Sequence, residues 1–317
     1  MVSAILAAVA GMTVPMKLTG PIIVLLGATG AGKSAIAMDV AQRTGAEILS
    51  VDSMQIYSGM DVGTAKPSMQ EQQLVRHHLI DVALPNESYT VAKFVESADA
   101  VIADAAARGV PLIATGGTPM FYKALFHGLF EGPAAHDAIR DRLRAESGNT
   151  LHSRLSQIDP AAAARIHSND MRRLIRALEV YEITGKPISS FQTDWDAQTV
   201  RHPAQWFGLE WNKDVLNQRI NARVKAMIAA GWVDEVRGLL EKYGRFSPTA
   251  AGATGYTELI DHLAGRSSLD EAIEQIKIAT RQLARRQMKW FRRFANVRWL
   301  PAADAADAIV SAIDSAA

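Results

Sequence analysis

PIIVLLGATGAGKS, residues 21–34, places an apolar run directly before a glycine-rich turn and the start of a helix. The run from Ile22 to Leu26 has no polar residue, which is typical of a parallel strand covered on both faces. Residues 27–34 match the pattern G-x-x-x-x-G-K-[ST] at every position, and a helix should follow from Lys33 to about Thr44. We therefore predict an α/β protein with a P-loop NTPase-like core, a parallel sheet and helices on both faces.

The glycine-rich turn at residues 27–34, called the phosphate loop below, has the composition of an anion site. Its glycines let the backbone curl until several N–H groups point at one anion, and the helix N-terminus adds a positive dipole. Lys33 supplies a cation, and the Ser34 hydroxyl can hold Mg²⁺. The predicted diphosphate- or nucleotide-binding residues are Gly27, Ala28, Thr29, Gly30, Ala31, Gly32, Lys33 and Ser34. The pattern indicates a di- or triphosphate ligand without distinguishing between them.

The composition limits the kinds of protein that this chain can be. It has 317 residues, 48% hydrophobic and 21% charged, which is ordinary for a globular protein with a sizeable core. It contains no cysteine, which excludes disulfides and thiol chemistry. No apolar run approaches the ~20 residues that a membrane helix needs, so we expect a cytoplasmic protein without a membrane partner. Residues 1–19 are expected to be a disordered tail or an over-extended start, with Met12 or Met16 as the true beginning.

Positive charge is concentrated near the end of the chain. Eight of the 34 basic residues lie between Gln275 and Ala303, a segment without acidic residues. The sequence predicts a long helix there, from Leu269 to Phe294, with an apolar face and a separate basic stripe. The basic stripe comprises Lys277, Arg281, Arg285, Lys289 and Arg292. A charged stripe is usually a solvated exterior, but one without acidic partners favours contact with a phosphate backbone.

Polar residues follow two further predicted strands. Residues 46–51 form the second strand and lead into Asp52, while residues 110–114 form the third strand and lead through two glycines to Thr118. Ligands of open parallel sheets bind beyond the carboxyl ends of the strands, so both side chains are expected near Lys33. A helix cap or a magnesium-holding role for Asp52, and a plain tight turn at Thr118, are the alternatives.

The strand pattern disappears between residues 130 and 203, where helical patterns take over. We therefore expect residues 20–129 and 204–317 to form the two parts of the core, with 130–203 as an all-helical insertion. In the second part, Arg219 and Arg223 lie four residues apart on one helix face. They are either surface charges or a clamp for a phosphate leaving group, and the spacing alone leaves both arginines open for that role.

Six stretches in this order resemble the bacterial tRNA dimethylallyltransferases, also called tRNA isopentenyltransferases. The resemblance covers residues 20–300, and its second and last stretches are very specific, because phosphate-loop kinases do not carry them. The stretches are GATGAGKS at 27–34, VDSMQIYSGMDVGTAKP at 51–67, HHLID at 77–81, GGT at 116–118, RRLIRALEVYEITGKP at 172–187 and ATRQLARRQMKWFRRF at 279–294. One departure is Thr254-Gly255-Tyr256-Thr257, where the family usually has Ile-Gly-Tyr followed by a basic residue.

The resemblance implies a reaction and an assignment of residues. Members of the family have a nucleotide-kinase-like fold and move a dimethylallyl group from its diphosphate to the exocyclic amine of an adenine beside the anticodon. By that resemblance the phosphate loop binds an allylic diphosphate with Mg²⁺ rather than ATP. Asp52 matches the general base, Thr118 lines the reaction channel, and Arg219 or Arg223 neutralises the diphosphate. The catalytic set is thus Asp52, Thr118, Lys33 and Arg219 or Arg223.

The expected partner is the anticodon arm of tRNA, held by the helical insertion of a monomeric enzyme. The resemblance assigns tRNA contacts to Asp52, Ser53, Met54, Gln55, Thr118, Arg140, Arg172, Arg173, Leu174, Ile175 and Arg176. The glycine-rich segment before Tyr256 suits backbone or base contact and adds Gly255 and Tyr256. The basic stripe adds Arg281 and Arg285.

Two other functions explain part of the sequence. A small-molecule kinase that uses ATP would need the phosphate loop and Asp52, but neither the basic stripe nor the helical insertion. An RNA-binding NTPase switch would need the basic surfaces, but would leave Asp52 and Thr118 without a role. Salt-sensitive binding of tRNA would argue against the kinase.

Overall fold

The computed structural model describes residues 20, 22–128, 132–191 and 200–315. It divides the chain into two compact units, of which the smaller is Phe126–Arg201 and the larger contains the residues on either side. The predicted insertion at 130–203 covers most of the smaller unit. The predicted tail at residues 1–19 lies outside the described residues.

The larger unit contains a six-stranded sheet in which every pairing is parallel. Its strands are β1 (Ile22–Leu26), β2 (Glu47–Ser50), β3 (His77–His78), β4 (Leu112–Thr115), β5 (Ala204–Glu210) and β6 (Val297–Pro301), in the order β3-β2-β4-β1-β5-β6. All five residues of β1 are buried, because β4 and β5 flank it and helices cover it. This confirms the apolar run as a central parallel strand.

Helices cover both faces of the sheet. The larger unit contains α1 (Lys33–Thr44), α2 (Met69–Leu74), α3 (Val91–Arg108) and α4 (Pro119–His127) before the smaller unit. After it come α9 (Lys213–Ala229), α10 (Trp232–Tyr243), α11 (Pro248–Ala251), α12 (Tyr256–Leu263), α13 (Leu269–Phe291) and α14 (Ala305–Asp314). Phe207 packs in one core with α1 and α14, while its neighbour Trp206 contacts Tyr122 of α4 on the opposite face. The predicted α/β fold is confirmed.

The smaller unit has a hydrophobic core of its own, built by helices alone among its described residues. Its helices are α5 (Asp137–Arg144), α6 (Gly148–Ile158), α7 (Pro160–Ala163) and α8 (Met171–Thr184). Leu151 and Leu155 of α6 pack with Leu174 and Leu178 of α8, at the three- and four-residue spacing of an amphipathic helix. In the parts of both units that the structure describes, no helix is long and apolar enough to cross a membrane.

Candidate active site

A cavity of about 580 Å³ lies within the larger unit, beyond the carboxyl ends of the central strands. One part of its wall is polar and comes from the phosphate loop and the loops that follow β2 and β4. The other part comes from α9 and α13 and includes the apolar side chains of Val224, Met227 and Leu283. The predicted residues that line it are Thr29, Gly30, Gly32, Lys33, Ser34, Asp52, Ser53, Met54, Gln55, Thr118, Arg223 and Tyr256.

The phosphate loop has the geometry that its glycines predict. Gly30 and Gly32 have φ angles of 81° and 93°, in the left-handed region that favours glycine, and α1 begins directly after them. The Lys33 amine donates hydrogen bonds to the carbonyl oxygens of Gly27 at 2.8 Å and Ala28 at 3.1 Å. Burial lowers the pKa of Lys33 to about 8, with a smaller upward contribution from Asp52 and a downward one from Arg223. An anion in the cavity would favour the charged amine.

Binding of a diphosphate should therefore weaken as the pH rises through about 8, where Lys33 of the free protein loses its charge. The loss should approach tenfold per pH unit above that value. Titration of inorganic diphosphate by calorimetry between pH 7 and 9.5 measures it. The ligand gains negative charge over this range, which opposes the effect. Lys33→Met should bind weakly with no such decline, and an undiminished wild-type affinity at pH 9.5 would contradict the prediction.

Asp52 lies directly after β2 and is held by amides from two loops. Its Oδ1 accepts a hydrogen bond from the Met54 N–H at 2.9 Å, and its Oδ2 accepts one from the Gly117 N–H at 3.2 Å. A carboxylate has about four lone-pair positions, so two such bonds orient it and leave acceptor capacity for a ligand. The structure thus places an oriented carboxylate in the same cavity as Lys33.

Thr118 supports the loop that carries Asp52. Its hydroxyl accepts a hydrogen bond from the Ser53 N–H at 2.9 Å and donates one to the Ser53 hydroxyl at 3.1 Å. Gly116, two residues before Thr118, must be a glycine because a Cβ there would lie 2.2 Å from the Val51 carbonyl oxygen. The close approach at Gly116 is therefore to the backbone of Val51.

The structure distinguishes the two candidate arginines. Arg223 lines the cavity and makes no hydrogen bond with the residues described, and burial lowers its pKa while the nearby Asp52 opposes that shift. Arg219 is exposed and does not line the cavity. Its guanidinium lies 4.4 Å from the ring centre of Trp211, and its Nε donates to the Gly30 carbonyl at 3.0 Å. Arg223 is therefore the arginine with donors available to an anion beside Lys33.

Comparison with known proteins identifies the family. The model of the IPP transferase family matches residues 55–294. A tRNA dimethylallyltransferase of Geobacter metallireducens is 43% identical over 296 residues, which covers 92% of this chain and 96% of that protein. The chain belongs to the IPP transferase family. The full-length tRNA isopentenylpyrophosphate transferase of Bacillus halodurans superposes with a TM-score of 0.69 at 35% identity, covering 94% of this chain and 98% of that one.

A eukaryotic dimethylallyltransferase, solved while acting on tRNA, is also similar in structure. It has a TM-score of 0.77 at 28% identity, and the match covers 93% of this chain and 77% of that one. With the Bacillus halodurans enzyme, it supports the predicted P-loop architecture of the larger unit.

Two of the predicted tRNA contacts in this IPP transferase lie in the core of the smaller unit. Leu174 and Ile175 are 0% and 8% exposed and pack among its apolar residues, so they are packing residues in this structure, and their contact with tRNA stays a prediction. They face inward because α8 must bury one face to hold the unit together. Arg172 and Arg173, on the same helix, are exposed, and Arg173 pairs with Asp170.

Arg140 and Arg176 share one buried carboxylate. Glu179 is fully buried and accepts bonds from Arg140 Nε at 2.8 Å, Arg140 Nη2 at 3.0 Å and Arg176 Nη1 at 2.7 Å. The arginines satisfy a charge that would otherwise be costly to bury. Arg140 therefore links α5 to α8, while Arg176 pairs with Glu179 within α8 and donates to the Pro133 carbonyl oxygen at 2.9 Å.

Tyr256, for which a base contact is predicted, is also buried in this structure. Its side chain is 1% exposed, packs against Trp232 and donates its hydroxyl to Glu235 at 2.6 Å. Gly255 before it has a φ angle of 98°, and a Cβ there would lie 2.0 Å from Trp232. The segment thus packs in the protein interior instead of presenting an aromatic ring for stacking. Tyr256 reaches the cavity only as part of its wall.

The basic stripe is divided by its surroundings. Lys277 is 7% exposed and pairs with Glu274 at 2.5 Å, just before the acid-free segment, so it does not belong to an unpaired stripe. Arg281 is partly exposed and donates to Asn221 at 2.6 Å. Arg285, Lys289 and Arg292 are exposed and have no acidic partner within the described residues. The available positive charge therefore lies toward the C-terminal end of α13.

Gln287 is a site residue that the sequence reasoning missed. It is 4% exposed, lines the cavity, and bonds to both the phosphate loop and the loop after β4. The sequence contains a signal for a special role of Gln287, because this polar residue lies on the apolar face of the predicted helix, after Ile276 and Leu283 and before Trp290. A polar residue in such a face is costly unless its hydrogen bonds are made.

Proposed function

We propose that this protein is a tRNA dimethylallyltransferase. It transfers the dimethylallyl group from dimethylallyl diphosphate to the exocyclic amine of an adenine adjacent to the anticodon. The observation that carries the proposal is one cavity that combines a phosphate-binding loop, an oriented carboxylate and an apolar wall. Membership of the IPP transferase family and the names of the relatives support it. A cytoplasmic location and a monomeric state remain predictions.

In this reaction a carbon–nitrogen bond forms while the bond between carbon and the diphosphate oxygen breaks. The adenine amine is a poor nucleophile because its lone pair is delocalised into the ring, and it must lose a proton as it attacks. Asp52 accepts that proton in the proposed mechanism, acting as a general base. The Met54 and Gly117 amides hold the carboxylate at the orientation that the attack requires.

The leaving diphosphate gains negative charge as the bond breaks. The amides of the phosphate loop, the Lys33 ammonium and the Arg223 guanidinium are fixed donors around the position that it takes. The five-carbon group lies against Val224, Met227 and Leu283, which line the apolar part of the cavity. This arrangement separates a polar end for the diphosphate from an apolar wall for the prenyl group.

The residues present fit a magnesium ion held mainly by substrate oxygens. The Ser34 hydroxyl and the Asp52 carboxylate line the cavity and are the hard oxygen donors that Mg²⁺ prefers. The described residues contain no cluster of three or more His, Cys, Asp or Glu that could hold a metal by themselves. Magnesium usually binds through one or two protein oxygens plus phosphates. When bound, it would neutralise charge on the diphosphate.

Transfer itself is the experiment that tests this function. The protein is incubated with Mg²⁺, dimethylallyl diphosphate and unmodified tRNA, and the digested RNA is analysed by mass spectrometry for prenylated adenosine. We expect product in this reaction and none when ATP replaces the prenyl donor. Hydrolysis of ATP or phosphate transfer without prenylation would instead support the kinase or the NTPase switch.

Arg285→Ala should weaken tRNA binding and reduce its salt dependence. Loss of one phosphate contact lowers the slope of log K against log salt by about 1. Binding is measured by fluorescence anisotropy at salt concentrations from about 50 mM to about 300 mM. Arg266→Ala is the matched control, since Arg266 is exposed, pairs with Asp261 and precedes α13 in the chain. Equal slopes for wild type and Arg285→Ala would remove α13 from the proposed RNA surface.

A further inference from the structure

Gln287 is the one α13 side chain with hydrogen bonds, among those described, to two of the cavity loops at once. Its Oε1 accepts a hydrogen bond from the Thr29 N–H of the phosphate loop at 2.8 Å. Its Nε2 donates to the Gly117 carbonyl oxygen at 2.7 Å. The next bond runs from the Gly117 N–H to Asp52 Oδ2 at 3.2 Å. A continuous chain of three bonds thus joins the phosphate loop, α13 and the carboxylate.

The partners of Gln287 determine which way its amide faces. A backbone N–H can only donate and a backbone carbonyl can only accept, so Thr29 requires the amide oxygen and Gly117 requires the amide nitrogen. The side chain is 4% exposed, and losing either bond would leave a buried polar group unsatisfied. A glutamine is therefore required by hydrogen bonding, although its position in α13 is on an apolar face.

Gln287 and Asp52 also approach Gly117 from the same side. A Cβ at Gly117 would lie 2.8 Å from Gln287 Nε2 and 3.0 Å from Asp52 Oδ2. Movement of either side chain would thus displace the glycine that supports the other. Since Asp52 must meet the amine at a defined distance, a shift of this glycine is a shift of the reaction geometry.

We infer that Gln287 is a positioning residue for the transfer reaction, setting the Asp52 carboxylate and the phosphate loop relative to each other through Gly117 and Thr29. The inference rests on the proposed function, in which these two groups act on the amine and on the leaving diphosphate. Gln287 does not itself touch the reacting atoms in this role. Its two hydrogen bonds fix the separation between the base and the leaving group, which the two loops alone do not fix.

Two variants of similar size test this role. Gln287→Met keeps the volume but makes neither hydrogen bond, so kcat should fall about 10–100-fold while the KM for both substrates changes little. Gln287→Glu can accept from Thr29 but cannot donate to Gly117, and it adds a negative charge near Asp52. Because the Gly117 carbonyl oxygen then lacks its donor, kcat should fall as it does in Gln287→Met, again with little change in KM. Gln275→Met and Gln275→Glu, at an exposed position of the same helix, are the controls.

Hydrogen exchange at the Thr29 amide gives a readout that does not depend on activity. Gln287→Met should exchange this amide faster than wild type, with the melting temperature measured alongside. The inference is supported if Thr29 exchange rises in Gln287→Met and kcat falls in both variants while the KM values change little. It is overturned if Thr29 exchange is unchanged, or if an active wild type and its Gln287 variants differ less than twofold in kcat. A wild type that transfers nothing would refute the proposed function separately, while the exchange measurement still decides the positioning role.

Discussion

Replacing Asp52 by asparagine should lower kcat for prenyl transfer by about 10²–10⁴-fold, the contribution of a general base. Asparagine keeps an oxygen that can accept from Met54 or Gly117 and has nearly the same size, so the loop should stay in place. It cannot accept the proton that the attacking amine must lose. Single-turnover measurements with saturating diphosphate and tRNA isolate this step from binding.

Binding measurements complete the test of Asp52. The affinity for tRNA should stay within about threefold of wild type, since the substitution removes one negative charge but keeps the size of the side chain and one oriented acceptor. Asp261→Asn is the matched control, because Asp261 is partly exposed, pairs with Arg266 and does not line the cavity. A variant at Asp52 that retains most of its kcat would show that the carboxylate does not take the proton.

The sequence predicted the central strands β1, β2 and β4 well and the edge strand β3 poorly. Each of these central strands has an apolar run with a turn or glycine at one end, and that pattern is a direct consequence of burial on both faces. β3 consists of His77 and His78 alone and pairs with the outer side of β2. Two polar residues have no periodicity, so only the neighbouring strand identifies them as part of the sheet.

Cavity residues were located from the sequence where they follow directly from a motif on the chain, and their roles stay predictions. Lys33, Ser34, Asp52 and Thr118 all reach the sheet edge because strand ends deliver them there. The contacts that a side chain makes at this edge depend on residues that are distant in sequence. Thr118 was assigned to the channel, yet its hydroxyl binds Ser53, 65 residues away.

The same limit applies to the tRNA contacts that the resemblance assigned to Leu174 and Ile175. A motif shows that a position matters, but a buried packing residue and an exposed binding residue occur within the same motif. Leu174 and Ile175 lie in RRLIRALEVYEITGKP beside exposed arginines, and burial separates the two kinds. The helical periodicity of the sequence assigns both residues to the inner face of α8, whereas the resemblance assigned them to tRNA.

Arg223→Ala should reduce kcat/KM for dimethylallyl diphosphate by about 10²–10³-fold, the usual cost of removing one fixed donor from a developing anion. The guanidinium lies in the cavity with Lys33 and has no hydrogen-bonding partner among the described side chains, so its donors are free for the leaving group. Steady-state kinetics with tRNA in excess measure the effect. Arg223→Lys should recover part of the loss, since it restores charge without the planar fork of donors.

Arg219→Ala is the natural control, because it removes the same side chain one helical turn away. Its guanidinium is exposed over Trp211, where a charge contact is worth at most about 1 kcal/mol, so the loss should stay below about fivefold. The comparison is decisive because the two arginines differ in burial rather than in chemistry. A larger loss at Arg219 than at Arg223 would mean that the diphosphate is neutralised from the outer side of the phosphate loop, and that the cavity arginine has another role.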